Sequence, residues 1–213
     1  MLIIHRKERT MSKIFTPTHR EGCEIAANYL RGRMNCGAVF IEPNSFDNKE
    51  SPDAIGFRSG GCSVLMEVKV SRADFLTDKK KPHRMDPTTG MGAYRFYVCP
   101  QDVIRVEDLP PKWGLFYFTP RKSLMPVHVP DMQYSSLSSP EHYQKYLDEQ
   151  IKRGRTVTRH MRSYMDLLDG FAHFERNTAG EQNILYGAWR QLCIAQSRGV
   201  DYTVTEVFQR PAI

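Results

Sequence analysis

The chain lacks the patterns that would assign it to several common classes. Its five cysteines, Cys23, Cys36, Cys62, Cys99 and Cys193, are odd in number and include no Cys-x-x-Cys pair. That argues against a disulfide framework and against a zinc site of the finger or ribbon type. Scattered free thiols fit a reducing compartment and predict a cytoplasmic location in a bacterial cell or phage-infected host. Seven histidines occur without a His-Glu-x-x-His motif, and His83, His128, His160 and His173 read as surface or structural residues. No apolar run approaches the roughly 20 residues of a membrane span. The opening Met1-Leu2-Ile3-Ile4 is too short for a signal peptide, and Met11 offers an alternative start, so residues 1–12 read as a mobile extension. No internal repeat is evident.

What is present bounds the rest. At 213 residues with 40% hydrophobic content, the chain can build one ordinary core, with or without an appendage. A formal net charge of +6 favours a polyanionic partner.

The most informative stretch runs from Pro52-Asp53-Ala54-Ile55-Gly56-Phe57, through Gly60-Gly61, to Ser63-Val64-Leu65-Met66-Glu67-Val68-Lys69. Gly60-Gly61 predicts a turn, and the flanking segments a hairpin that brings Asp53 beside Glu67. Side chains alternate along a strand, so Glu67 and Lys69 share one face. Two carboxylates suit Mg²⁺ or Mn²⁺, which accept phosphate oxygens as further ligands. A cation beside them could stabilise charge on a phosphate or orient a water. An isolated Glu-x-Lys would read as a surface ion pair; the upstream Pro-Asp and the apolar strand favour the metal reading.

Ser71-Arg72-Ala73-Asp74-Phe75 follows, then Lys79-Lys80-Lys81, and later Tyr94-Arg95-Phe96-Tyr97-Val98. Together with Asp53 and Glu67-Val68-Lys69, these residues resemble the PD-(D/E)XK nuclease superfamily. Within it they most resemble the MmcB-like DNA-repair endonucleases and related phage and prophage proteins. The resemblance covers residues 16–119, about half the chain. It implies an α/β, restriction-endonuclease-like core: a mixed central sheet flanked by helices. It also implies Asp53 and Glu67 as metal ligands, the Val68 backbone carbonyl as a further one, and Lys69 as the catalytic lysine. The superfamily often adds an upstream acid. Glu24 matches the usual helix placement, and Glu42, at a strand end before Pro43, also fits. Glu21 belongs to a helix-capping box with Thr18. Ser71 and Asp74 fit a second box.

The expected partner is DNA. Arg72, Lys79, Lys80, Lys81 and Arg84 are candidates for phosphate contacts, which position a duplex without reading its sequence. The expected activity is hydrolysis of DNA phosphodiester bonds by in-line attack of an activated water, with Mg²⁺ or Mn²⁺ as cofactor. Two alternatives are a nucleic-acid-binding protein of the same fold without useful cleavage, and a protein-interaction module using basic C-terminal helices.

The pattern predicts a helix from residue 16 or 18 to 33 and strands at 38–42, 53–58, 63–70, 94–99 and 113–118. A second helix is expected at 72–80, and a loop at 82–92 near the substrate. The nuclease core is assigned to 13–120. Residues 121–213 read as a Pro-rich and Ser-rich connector and a helical extension, with helices at 140–153, 155–168 and 181–198.

Overall fold

A computed structural model of the chain describes residues 14–43, 50–131 and 136–199. The expected extension at 1–12 and most of the polar loop at 44–51 lie outside these residues.

Helix α1 spans His19–Gly32. Its start is fixed by a complete capping box. Thr18 Oγ1 accepts from the Glu21 N–H at 3.2 Å, and Glu21 Oε2 accepts from the Thr18 N–H at 3.3 Å. Cys23, Ala26, Ala27 and Leu30 form its buried face. Gly22 meets the sheet so closely that a Cβ there would stand 2.6 Å from Val68 Cγ1. The helix therefore rests on the end of the strand that carries Glu67.

Six strands form one sheet in sequence order: β1 Ala38–Ile41, β2 Ala54–Arg58, β3 Cys62–Val68, β4 Tyr94–Cys99, β5 Trp113–Thr119 and β6 Ser123–His128. The first three pair antiparallel, β3, β4 and β5 pair parallel, and β6 closes the edge antiparallel to β5. Every residue of β3 and β4 is buried, as befits central strands covered on both faces. The parallel step from β3 to β4 needs a crossover, supplied by α2 Arg72–Asp78 and a one-turn helix α3 Pro82–Met85. This is the α/β, restriction-endonuclease-like arrangement: a mixed sheet with helices on both faces, followed by α4 Pro140–Lys152, α5 Arg159–Phe171 and α6 Thr178–Ser197.

Three expectations change. Residues 82–92 are not a plain loop, because Pro82 sits in the first turn of α3, where its missing N–H costs nothing. Part of the supposed connector after Pro120 is strand β6. Pro126 is tolerated there because β6 is an edge strand and the ladder shifts register beside Phe116, the partner of Pro126. Helix α5 begins later than expected because Thr158 caps it, accepting from the Met161 N–H at 3.2 Å.

Alternation along the strands builds two cores. Val64, Met66 and Val68 face α1, together with Tyr143 and Leu147 of α4 and Leu167, Leu168 and Phe171 of α5. Leu65, Tyr97 and Trp113 face Phe75 of α2 and Ile184 and Ala188 of α6. Glu181, near the start of α6, ties that helix to the sheet: it accepts from Ser63 Oγ at 2.7 Å and from the Gly92 N–H at 2.8 Å. The C-terminal helices thus complete both layers around the sheet.

Candidate active site

Glu67 and Lys69 project to the same side of β3, with Leu65 before them. Lys69 lies just past the strand, and its N–H continues the ladder by donating to Val98 O at 2.9 Å. Its Nζ stands 3.1 Å from Glu67 Oε2, 3.6 Å from Asp53 Oδ2 and 3.5 Å from Asp78 Oδ1. Asp53 immediately precedes β2 and is pinned to the neighbouring strand: its Oδ2 accepts from the Val68 N–H at 2.7 Å. The hairpin therefore brings Asp53, Glu67 and Lys69 to one point.

The two upstream acids differ in placement. Glu42 follows β1 directly with a left-handed backbone, φ 44°, and its N–H donates to Asp53 O at 3.1 Å. Its Oε1 lies 4.0 Å from His19 Nδ1, and His19 Nε2 lies 3.3 Å from Asp53 Oδ1. Glu24 is exposed on α1 and accepts from Arg20 Nε at 3.4 Å. The residues α1 turns toward Asp53 are His19 and Cys23, one turn apart; Glu24 is rotated about 100° beyond Cys23.

A buried layer that the sequence reading missed lies behind this group. Arg84 bridges three carboxylates: Nη1 is 2.6 Å from Glu50 Oε1, Nη2 is 3.0 Å from Glu67 Oε1, and Nε donates to Asp78 Oδ2 at 2.9 Å. Tyr97 Oη donates to the same Asp78 oxygen at 2.8 Å, and Lys81 Nζ stands 2.7 Å from Asp78 Oδ1. Glu50 also accepts from the Met91 N–H at 2.5 Å. The guanidinium stacks 4.6 Å above Trp113. One available signal was the alternation of β4, which puts Tyr97 on the Glu67 face. Another was Pro82 as a helix starter, which turns Arg84 inward.

Burial and charge set the protonation states. Burial pushes the Glu67 carboxyl up, and the Asp53 charge adds to this; Arg84 and Lys69 oppose it, and the balance lies at about 7. Burial also pushes Asp53 up, but the His19 hydrogen bond and the charges of Lys69 and His19 hold it below its ordinary value. Burial disfavours the charged form of Lys69, yet Glu67, Asp53 and Asp78 together raise it above its ordinary value. Lys69 is therefore a fixed cation near neutral pH. It can stabilise charge or orient water, but it cannot serve as a general base.

The proposed phosphate contacts divide. Lys79, Lys80 and Lys81 are exposed beyond α2. Arg72 is held by Asp108, with Nη2 donating to Oδ1 at 2.6 Å, and Lys79 Nζ donates to Asp108 O at 2.9 Å. Arg84 is a correction: its side chain is 1% exposed and fully committed to carboxylates, so it cannot reach a phosphate backbone.

No family model matches the chain, and no curated protein matches it. A solved structure of a protein of unknown function from Silicibacter pomeroyi is similar at 19% sequence identity, covering 65% of this chain and 90% of that one, with a TM-score of 0.41. No helix among the described residues is long and apolar enough to cross a membrane.

Proposed function

We propose that the chain is a metal-dependent nuclease acting on DNA. The observation that carries this reading is the convergence of Asp53 and Glu67 on Lys69 at the end of β3, with Asp53 fixed by the Val68 N–H. The donor set fits Mg²⁺ or Mn²⁺: two carboxylates from adjoining strands, one of them raised to about 7 by burial and by its neighbour's charge. Arg84 holds Glu67 Oε1 toward the interior, so Oε2, beside Lys69, is the oxygen this carboxylate would offer a cation.

Asp53 and Glu67 would hold the ion, with the Val68 carbonyl as a further donor; the Glu42 carboxylate lies instead toward His19. The ion would supply Lewis-acid polarisation of the phosphoryl oxygen and lower the pKa of a bound water. Lys69 stabilises charge building on the phosphate or orients the attacking water for in-line displacement. Asp78, itself held by the Tyr97 hydroxyl, stands behind Lys69, so the ammonium is positioned before substrate arrives. Lys79, Lys80 and Lys81 lead the phosphate backbone toward the site.

A second reading, a DNA-binding protein without cleavage, is favoured by one observation: both oxygens of Glu67 already face cations, Lys69 and Arg84. Cleavage assays with linear, circular, single-stranded and branched DNA, with Mg²⁺ or Mn²⁺ and with chelator, separate the two. Chelator-sensitive cutting that disappears in Lys69→Met supports the nuclease. Binding without cutting under any metal supports the second reading.

A further inference from the structure

We propose that His19, Cys23 and Glu42 form a site for a borderline divalent ion of the zinc class, beside the Asp53–Glu67–Lys69 centre and separate from it. The proposal does not depend on the nuclease reading, because neither Cys23 nor His19 is needed for a carboxylate-bound Mg²⁺ or Mn²⁺.

The site is assembled by the fold rather than by a motif. His19 and Cys23 are four residues apart on α1, so one turn of helix stacks them on one face. Cys23 Sγ lies 3.6 Å from His19 Nδ1. In a tetrahedral zinc site, with Zn–N about 2.0–2.1 Å and Zn–S about 2.3 Å, the nitrogen and sulfur stand roughly 3.5 Å apart. The observed pair already spans one edge of such a site. Glu42 Oε1 stands 4.0 Å from the same Nδ1. Rotation of this half-exposed carboxylate would close the remaining distance.

The far side of the imidazole is as informative. His19 Nε2 is 3.3 Å from Asp53 Oδ1. With the Nε2 proton donated to Asp53, Nδ1 is left unprotonated and faces Cys23 and Glu42. A metal-ligating histidine almost always donates its other N–H to a carboxylate or carbonyl in this way. Ligand atoms of His19, Cys23 and Asp53 all lie within 4.8 Å of one another. Cys23 is fully buried at the floor, whereas the side chains of His19 and Glu42 are 41% and 47% exposed at the mouth.

The donor chemistry selects the ion. Burial and the Asp53 and Glu42 charges keep the Cys23 thiol protonated in the empty site, so binding would release its proton to solvent; the resulting thiolate and the imidazole favour Zn²⁺ and its transition-metal neighbours over Mg²⁺, which takes oxygen ligands and keeps its waters. Asp53 then has two tasks, orienting the His19 ring through Oδ1 and serving the neighbouring centre through Oδ2. Occupancy of one site would be felt at the other through that carboxylate.

The test is titration of the full chain with Co²⁺ under reducing, oxygen-free conditions, read by absorption. The expected result is a saturable thiolate-to-cobalt charge-transfer band in the near ultraviolet at one equivalent. It should be unchanged in Cys193→Ser, which removes the exposed thiol, and lost in Cys23→Ser. His19→Gln, a change at a half-exposed position, should weaken Co²⁺ binding by tenfold or more without unfolding the chain. Asp53→Asn should weaken it by about 10–100-fold, as expected for an orienting partner. A wild-type chain with no such band, or a band that persists in Cys23→Ser, overturns the proposal. Should Cys23→Ser fail to fold, unaltered Co²⁺ affinity in His19→Gln overturns it alone. Mg²⁺-dependent cutting retained in Cys23→Ser while the cobalt band is lost separates this site from the nuclease reading. Loss of cutting in every chain, with an intact cobalt signal, would count against the nuclease reading alone.

Discussion

Arg84 Nη2 stands 3.0 Å from Glu67 Oε1, with both side chains almost wholly excluded from water. The guanidinium holds one oxygen of Glu67 toward the interior and leaves Oε2 facing Lys69 at the site. An acid expected to bind metal is thereby anchored by a cation that looked, in the sequence, like a surface phosphate contact.

Arg84→Met tests that anchoring. Removing the cation strands Glu50, Glu67 and Asp78 without their shared partner. Breaking a buried pair from one side costs about 3–5 kcal/mol. Urea denaturation should show a loss of that order. A loss within about 1 kcal/mol of zero, the scale of an exposed pair, would mean that Arg84 is not buried as described.

Asp53 separates ligand loss from structural loss. Asp53→Asn keeps an acceptor for the Val68 N–H but loses the charge, so Mn²⁺ binding and cleavage should collapse while stability stays near wild type. Asp53→Ala also strands that N–H, and should cost an additional 1–3 kcal/mol or so. Calorimetric metal titration and thermal melts, run on both variants, give the comparison. Equal melting temperatures for the two would remove the Val68 hydrogen bond from the account.

His173 supplies a pH dependence remote from the site. Burial, with the nearby Arg95 and Lys112 charges, pushes its imidazole down to about 3. Between that value and the unfolded value near 6.5, the unfolded chain binds more protons than the native one. Stability therefore falls as pH drops below about 6.5, by at most about 1.4 kcal/mol per unit from this group. His173→Asn should flatten the stability profile between pH 4 and 6.5. A profile parallel to wild type would assign the acid sensitivity elsewhere.

Neutralising Lys79, Lys80 and Lys81 together should weaken binding to all duplex sequences. The slope of log affinity against log salt should fall by about 0.9 for each phosphate that the variant no longer neutralises. An unchanged slope would move the DNA track to another surface, with Arg155, Arg159 and Arg162 the next residues to neutralise.

The sequence revealed most where its signals are local. Thr18 and Glu21 announce the start of α1, and the apolar alternation around Glu67 places β3 within a residue or two. Asp53, Glu67 and Lys69 were legible because one hairpin and one strand bring them together. Glu50, Asp78, Arg84 and Tyr97 were not, because their meeting depends on how α2, α3 and β4 stack, which no short-range pattern encodes. The pairing of His19 with Cys23 escaped for a related reason. Their helical spacing was present, but the nearby carboxylates come from β1 and the start of β2. Edge strand β6 was hidden by Pro126, whose usual meaning as a breaker holds in central strands and lapses at an edge.

Ser63 and Glu181, joined between β3 and α6, are 118 residues apart in the chain. During synthesis, the strand that bears the site waits for that helix to leave the ribosome before its polar contacts can close. A contact of such long range forms late, because the chain entropy of closing the loop is lost before the contact gives anything back. Until then the part of the Leu65 face that Ile184 and Ala188 cover remains open to solvent. The nascent chain is therefore most prone to misassembly during the interval in which the residues between Ser63 and Glu181 are being made.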